Sequence, residues 1–153
     1  MANPLKELDL SIKGFQFIQE IPIAASPAKA WAALTNPAGW FSMSPEGKPA
    51  KSTLELVPGG RWTIENPEGN ATLFATVNLI EPQKLLRVSG HCGLSHLPAL
   101  SVVIFELQPQ KDGKATLLRL GHRGFGYMDA DIEKRYSAGW ANFLPKIKDL
   151  AEK

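Results

Sequence analysis

DADIEKRYSAGWANFLPKIKDLAEK, Asp129 to Lys153, is the stretch whose reading decides the fold. Ile132, Tyr136, Trp140, Phe143, Ile147 and Leu150 recur at spacings of three and four, which lays one broad apolar stripe along a helix. Asp129, Asp131 and Glu133 stand at its start and Lys146, Lys148 and Lys153 at its end, in the sense that favours the helix dipole. Pro145 removes one backbone donor and crowds the carbonyl of Ala141, so a kink is expected there. A stripe carrying Tyr136, Trp140 and Phe143 must be buried against something large.

That partner lies immediately upstream. Thr116 to Arg123, Ser101 to Leu107, Leu85 to Gly90, Ala71 to Ile80, Arg61 to Glu65 and Thr53 to Val57 read as six consecutive strands. Asp112-Gly113, Glu81-Pro82-Gln83, Asn66 to Asn70 and Pro58-Gly59-Gly60 punctuate them. Such short connections pair strands antiparallel, because a parallel crossover needs about a dozen residues or more. Phe15 to Ile23 alternates with period two and adds a seventh strand, Pro22 marking an edge. Ser26-Pro27 then opens a short helix to Thr35, the hydroxyl accepting an orphan N–H and the proline needing none. Asn36-Pro37 opens a second turn of helix holding Trp40 and Phe41, and residues 42–51 form a polar loop. Residues 1–13 read as an N-terminal arm and 14–153 as one domain.

The class is therefore α+β: a curved antiparallel sheet of about seven strands, two short helices after the first strand, and a long C-terminal helix across the sheet. Large aromatic side chains on that helix are expected to leave an elongated apolar cavity. A chain of 153 residues with 44% hydrophobic residues fills one core without a staple. Its net charge of +2 singles out neither nucleic acid nor an anionic membrane. The start lacks the apolar run of a secretion signal, and Leu97 to Leu107 is too short and interrupted to span a bilayer. One cysteine, Cys92, makes no internal bridge, which favours a reducing, cytoplasmic setting.

Ile21 to Trp31 (IPIAASPAKAW), Ala33 to Pro37, Leu54 to Trp62 (LELVPGGRW), His122 to Phe125 and Gly139-Trp140 resemble the Hsp90-ATPase-activator-homologue branch of the START-like, or SRPBCC, superfamily. The resemblance runs in order from about Phe15 to Ala151. It implies the helix-grip fold, with a hydrophobic tunnel between sheet and C-terminal helix. Ala75, where the branch often has glycine, and Pro145 depart from its pattern.

Chemistry-bearing residues are few. His91, Cys92, His96 and His122 are the most reactive set, as thiolate and base or as metal ligands, but no paired ligand spacing accompanies them. No metal, cofactor or catalytic residue is assigned. Arg61, Arg87, Arg119 and Arg123 fit the outer face of the sheet, paired with Glu55, Glu65 or Glu106. The glycines of Gly121-His-Arg-Gly-Phe-Gly126 do not lead from a strand into a helix as a phosphate loop does. The expected ligand lining is Trp62, Phe74, Phe105, Tyr136, Trp140 and Phe143, with His91 as a polar end. The leading expectation is a binder of a small hydrophobic or aromatic molecule. A cyclase or lyase using His91, Tyr136 or Arg119 is the second, and a chaperone-associated interaction module the third. A homodimer stays open; nucleic acid and membrane insertion are not expected.

Overall fold

The computed structural model describes Leu5, Glu7 and residues 11–42 and 47–153. Among these residues seven strands form one antiparallel sheet: β1 (Ile12–Ile23), β2 (Lys51–Leu54), β3 (Arg61–Glu65), β4 (Ala71–Glu81), β5 (Leu85–Gly90), β6 (Ala99–Gln110) and β7 (Ala115–Tyr127). Their order is β1-β7-β6-β5-β4-β3-β2, so β2 to β7 meander and β1 returns beside β7. Two helices complete it, α1 (Pro27–Leu34) and α2 (Ile132–Ala151), with a 3₁₀ turn at Pro37–Gly39. Register irregularities at Trp62/Thr63 and Val77/Leu79 add local twist and help curve the sheet. No described helix is long and apolar enough to cross a membrane.

Local chemistry explains most boundaries. Ser26 caps α1 by accepting from the Lys29 amide at 3.3 Å, and Pro27 takes the first helical position. The indole N–H of Trp40 reaches the Ala33 and Leu34 carbonyls at 3.1 and 3.2 Å, adding to the Asn36 N–H that Ala33 already accepts at 3.2 Å at the end of α1. The 3₁₀ turn stops at Gly39, before the Trp40 and Phe41 that the sequence put in it. α2 runs on through Pro145 as one helix.

β2 lies earlier than the Thr53–Val57 expected from the sequence. From Glu55 the chain leaves the ladder for a turn, closed by Gly60 N–H to Val57 O at 2.8 Å. Gly60 has no substitute here, since a Cβ would stand 2.0 Å from the Glu55 carbonyl oxygen. β1 starts at Ile12, taking in the last two residues assigned to the arm. Of the remaining arm, only Leu5, Glu7 and Ser11 are among the described residues, and positions 43–46 of the polar loop lie outside them.

Parity sorts the side chains. Phe15 and Ile23 of β1, Val103, Phe105 and Leu107 of β6, and Leu118, Leu120 and His122 of β7 are buried on the inner face beneath α1 and α2. On the outer face Arg119 bridges Glu20 at 2.9 Å and Glu106 at 3.1 Å, while Arg61 meets Glu55 at 3.1 Å. An acid–base role for Arg119 inside the grip is thereby excluded: its guanidinium sits on the wrong side of the sheet.

Candidate functional site

The space between α2 and the sheet is filled by aromatic rings. Phe143 stacks on Phe41 with centroids 4.4 Å apart, Trp62 tilts against Phe74 at 4.7 Å, and Phe105 meets Trp140 edge-on at 5.6 Å. Trp40 touches Trp62, Trp140 and Phe143. Five of the six aromatics expected to line a cavity, Trp62, Phe74, Phe105, Trp140 and Phe143, thus face inward and lean on one another. Offset-stacked and edge-to-face pairs at these separations are the arrangements aromatic rings prefer, each adding about 0.5–1.5 kcal/mol beyond its buried area. The expectation that large rings leave a void is not met at this place. The two best-formed concavities among the described residues, of about 300 and 330 Å³, open on the surface instead, one beside Ile23, Lys111 and Lys148, the other beside Ala50 and Asn66.

Polar chemistry gathers at one end of this cluster. His122 is fully buried. Its Nδ1 stands 3.1 Å from the indole nitrogen of Trp140 and its Nε2 3.0 Å from Ser101 Oγ. An indole N–H only donates, so Nδ1 must accept and the one proton of the neutral ring sits on Nε2. The relay therefore runs from Trp140 to His122 to Ser101, whose hydroxyl faces the His91 carbonyl at 3.5 Å. Burial lowers the His122 pKa from 6.5 to about 4, so the imidazole stays neutral. Phe15 and Phe17 pack edge-on against it at 5.0 and 5.5 Å.

This orientation decides between chemistries. A serine nucleophile needs a histidine nitrogen free to take its proton. Here Nε2 already carries the proton and gives it to Ser101 in a hydrogen bond, so the pair is wired against hydrolysis. Cys92 is no better suited, because burial pushes its thiol up to about 11 and Sγ lies 3.7 Å from the Ser101 carbonyl. Among the described residues no three His, Cys, Asp or Glu side chains are placed to hold a metal ion.

Tyr136 and His91 take different positions from each other. Tyr136 is half-buried, and its hydroxyl donates to the Gly93 carbonyl at 2.6 Å, with burial raising its pKa. His91, expected to be the polar end of the lining, is exposed, with Nδ1 3.1 Å from the Ala99 carbonyl oxygen. The interior polar position belongs to His122. Alternation along Thr116, Leu118, Leu120 and His122 carried that signal.

Residues 91–98, between β5 and β6, cover this end. Leu94 and Leu97 are buried in a second apolar cluster with Phe15, Ala99, Met128 and Ile132, flanked by Phe17 and Tyr136. The segment is held by bonds within its own turns, by Cys92 N–H to Phe74 O at 2.7 Å, by Tyr127 N–H to Pro98 O at 3.2 Å, by Tyr136, and by the contacts of His91 and Cys92 with Ala99 and Ser101. Cys92 has a φ of 47° and Gly93 of 96°, so the backbone enters the segment through the left-handed region. The inner face makes room below: a Cβ on Gly124 would stand 2.6 Å from the Phe15 ring. The glycines of 121–126 therefore include a packing notch, in keeping with the absence of phosphate-loop geometry.

Trp140→Phe tests the relay. It keeps a ring in the cluster but leaves His122 Nδ1 without a donor. The expected loss is about 1–3 kcal/mol in denaturant unfolding, together with an imidazole ¹⁵N spectrum no longer locked to the Nε2–H tautomer. An unchanged tautomer and unchanged stability would remove the relay from the account.

Comparison with known proteins agrees with this architecture. A crystal structure of a protein from Chromobacterium violaceum is 21% identical, covers 90% of this chain and 97% of its own, and superposes with a TM-score of 0.70. An uncharacterized protein from Rhizobium leguminosarum is 18% identical, with coverages of 93% and 97% and a TM-score of 0.70. One from Mesorhizobium loti is 27% identical, with coverages of 89% and 96% and a TM-score of 0.64. No curated protein matches the chain. The model of the Activator of Hsp90 ATPase homolog 1-like family matches residues 24–152, which span α1, the sheet from β2 onward and α2. With its helix-grip architecture and that match, the chain belongs to the Activator of Hsp90 ATPase homolog 1-like family of START-like proteins.

Proposed function

We propose that this protein binds an uncharged, apolar small molecule at the His122 end of the grip, with residues 91–98 as the removable cover. One observation carries the reading. Leu94 and Leu97, side chains of a loop, are buried in one cluster with Phe15, whose ring packs on His122 at 5.0 Å, whereas the rest of the interior is filled mainly from strands and helices, with Trp40, Phe41 and Cys92 added from connecting segments. Loop side chains can leave without unfolding the sheet, and a site of about 150 Å³ lined by such residues admits a molecule of benzene size. The two leucines then stand where a guest would sit.

The surroundings select for charge. The buried polar side chains among the described residues are Ser52, Ser101, Thr116 and His122, none of them charged at neutral pH. A buried carboxylate would find no cation there and would cost several kcal/mol. The Nε2–H tautomer and the high thiol pKa supply no base or nucleophile, so the reading is binding without turnover. Action in the cytoplasm is part of the same proposal, on the strength of the single thiol at Cys92.

A pair of probes of one shape and two charges tests it. 2-Naphthalenemethanol should raise the unfolding temperature, since a ligand at about 100 times its Kd adds about 2.7 kcal/mol. 2-Naphthoate should not. Equal shifts from both, or none from either, would count against the site.

A further inference from the structure

The Ser101 hydroxyl is an under-used donor at the His122 end of the grip. Ser101 is 4% exposed, on the inner face of β6, and its Oγ accepts the Nε2 proton of His122 at 3.0 Å. Its own proton faces the His91 carbonyl at 3.5 Å. A hydroxyl hydrogen bond closes at about 2.5–3.0 Å, so this contact meets little of a buried donor's need. The relay behind it runs one way. Trp140 donates to His122 and His122 to Ser101, so each bond polarises the next and the serine proton ends the chain.

That proton sits beside the cover. The same His91 carbonyl accepts the Leu94 N–H at 2.9 Å, so Ser101 Oγ and Leu94 flank one oxygen. Ser101 Cβ and the Phe15 ring also border one point, the position a Cβ on Gly124 would take, at 3.0 and 2.6 Å. Phe15 in turn shares its apolar cluster with Leu94 and Leu97. A guest in place of the two leucines therefore meets the Ser101 hydroxyl at its border. Four carbonyls of this end are engaged already: Phe74 by the Cys92 amide, Pro98 by the Tyr127 amide, Gly93 by the Tyr136 hydroxyl and Ala99 by Nδ1 of His91. A guest bringing a proton of its own must compete for one of them. A guest bringing only an acceptor completes Ser101.

We propose that the guest of the interior site is a neutral ketone or aldehyde, its oxygen on the Ser101 hydroxyl and its apolar body in place of Leu94 and Leu97. This rests on the binding proposed above and assigns the guest's one polar group.

Two probes of one shape differ in that group alone: 2-acetonaphthone carries C=O where 2-isopropenylnaphthalene carries C=CH2. Equilibrium dialysis with the full chain gives the ratio of their affinities, which should fall at least about five-fold in favour of the alkene in Ser101→Ala. Comparing the ratio between the two proteins cancels the probes' unequal cost of leaving water. In the wild type, the carbonyl ¹³C signal of the bound ketone should lie downfield of its position in cyclohexane, as for a hydrogen-bonded ketone. That signal decides the proposal even if the variant does not fold. A cyclohexane-like signal from the bound ketone, or an unchanged ratio in Ser101→Ala, overturns the proposal and leaves apolar binding standing. Failure of both probes to bind the wild type overturns this proposal and the binding reading together.

Discussion

Lowering the pH from 6.5 towards 4 should cost the native state about 3 kcal/mol through His122 alone. The native imidazole takes up its proton only near pH 4, against 6.5 for the ordinary ring, because burial disfavours the charged form. Between these values the unfolded chain binds a proton that the folded chain refuses, so unfolding becomes easier as pH falls. The stability is complete above pH 6.5 and lost progressively on the way down. At about 1.4 kcal/mol per pH unit the interval gives the figure stated. Denaturant unfolding at pH 7 and pH 5 checks it in the wild type and in His122→Gln. Glutamine offers one acceptor to Trp140 and one donor to Ser101 but takes up no proton in this range. The variant should lose most of the slope between pH 6.5 and 5, and imidazole NMR signals of the wild type should show His122 neutral at pH 5. Protonation of His122 above pH 6 would contradict both the burial and the relay.

Leu94→Ala or Leu97→Ala should each destabilise the fold by about 2–5 kcal/mol, the range for a buried leucine whose surroundings relax only in part. The second consequence separates a plug from an ordinary core side chain. If the leucines occupy a guest's place, wild-type binding includes the free energy of lifting them out, which reduces apparent affinity by the fraction of open molecules. Truncation removes part of that cost. 2-Naphthalenemethanol should therefore bind Leu94→Ala about ten-fold more tightly than wild type and restore much of the lost stability. A control in the ring cluster, Phe105→Ala, should lose about 3–5 kcal/mol without a matching gain at the His122 end. Loss of stability with no gain in binding would reduce the two leucines to core.

The sequence was most legible where a period repeats. The stripe from Ile132 to Leu150 reads as a helix because its spacing admits no strand, and Arg61–Glu65 and Leu85–Gly90 fall where their turns bound them. Trp62, Phe74 and Phe105, chosen for their aromatic bulk, are buried in the interior. His91 follows Gly90, whose φ of 133° breaks the alternation, so strand parity no longer says which way its ring points. His122 keeps the alternation of β7, and its inward position was readable from Leu118 and Leu120. Residues 91–98 have no period, and the burial of Leu94 and Leu97 is set by Phe15, Met128 and Ile132 from distant parts of the chain. Closure of the interior was equally out of reach, since it depends on how Phe41 stacks on Phe143 and how Trp40 wedges between Trp62 and Trp140.

Intermolecular nuclear Overhauser contacts between 2-naphthalenemethanol and the wild-type chain test the claim on which the functional account turns. The account predicts contacts from the naphthalene ring to Phe17, Met128, Ile132 and Tyr136, with loss of the Leu94 methyl contacts to Phe15 and Ile132. Contacts confined to the outer face, or a bound probe with Leu94 still seated beside Phe15, would contradict it.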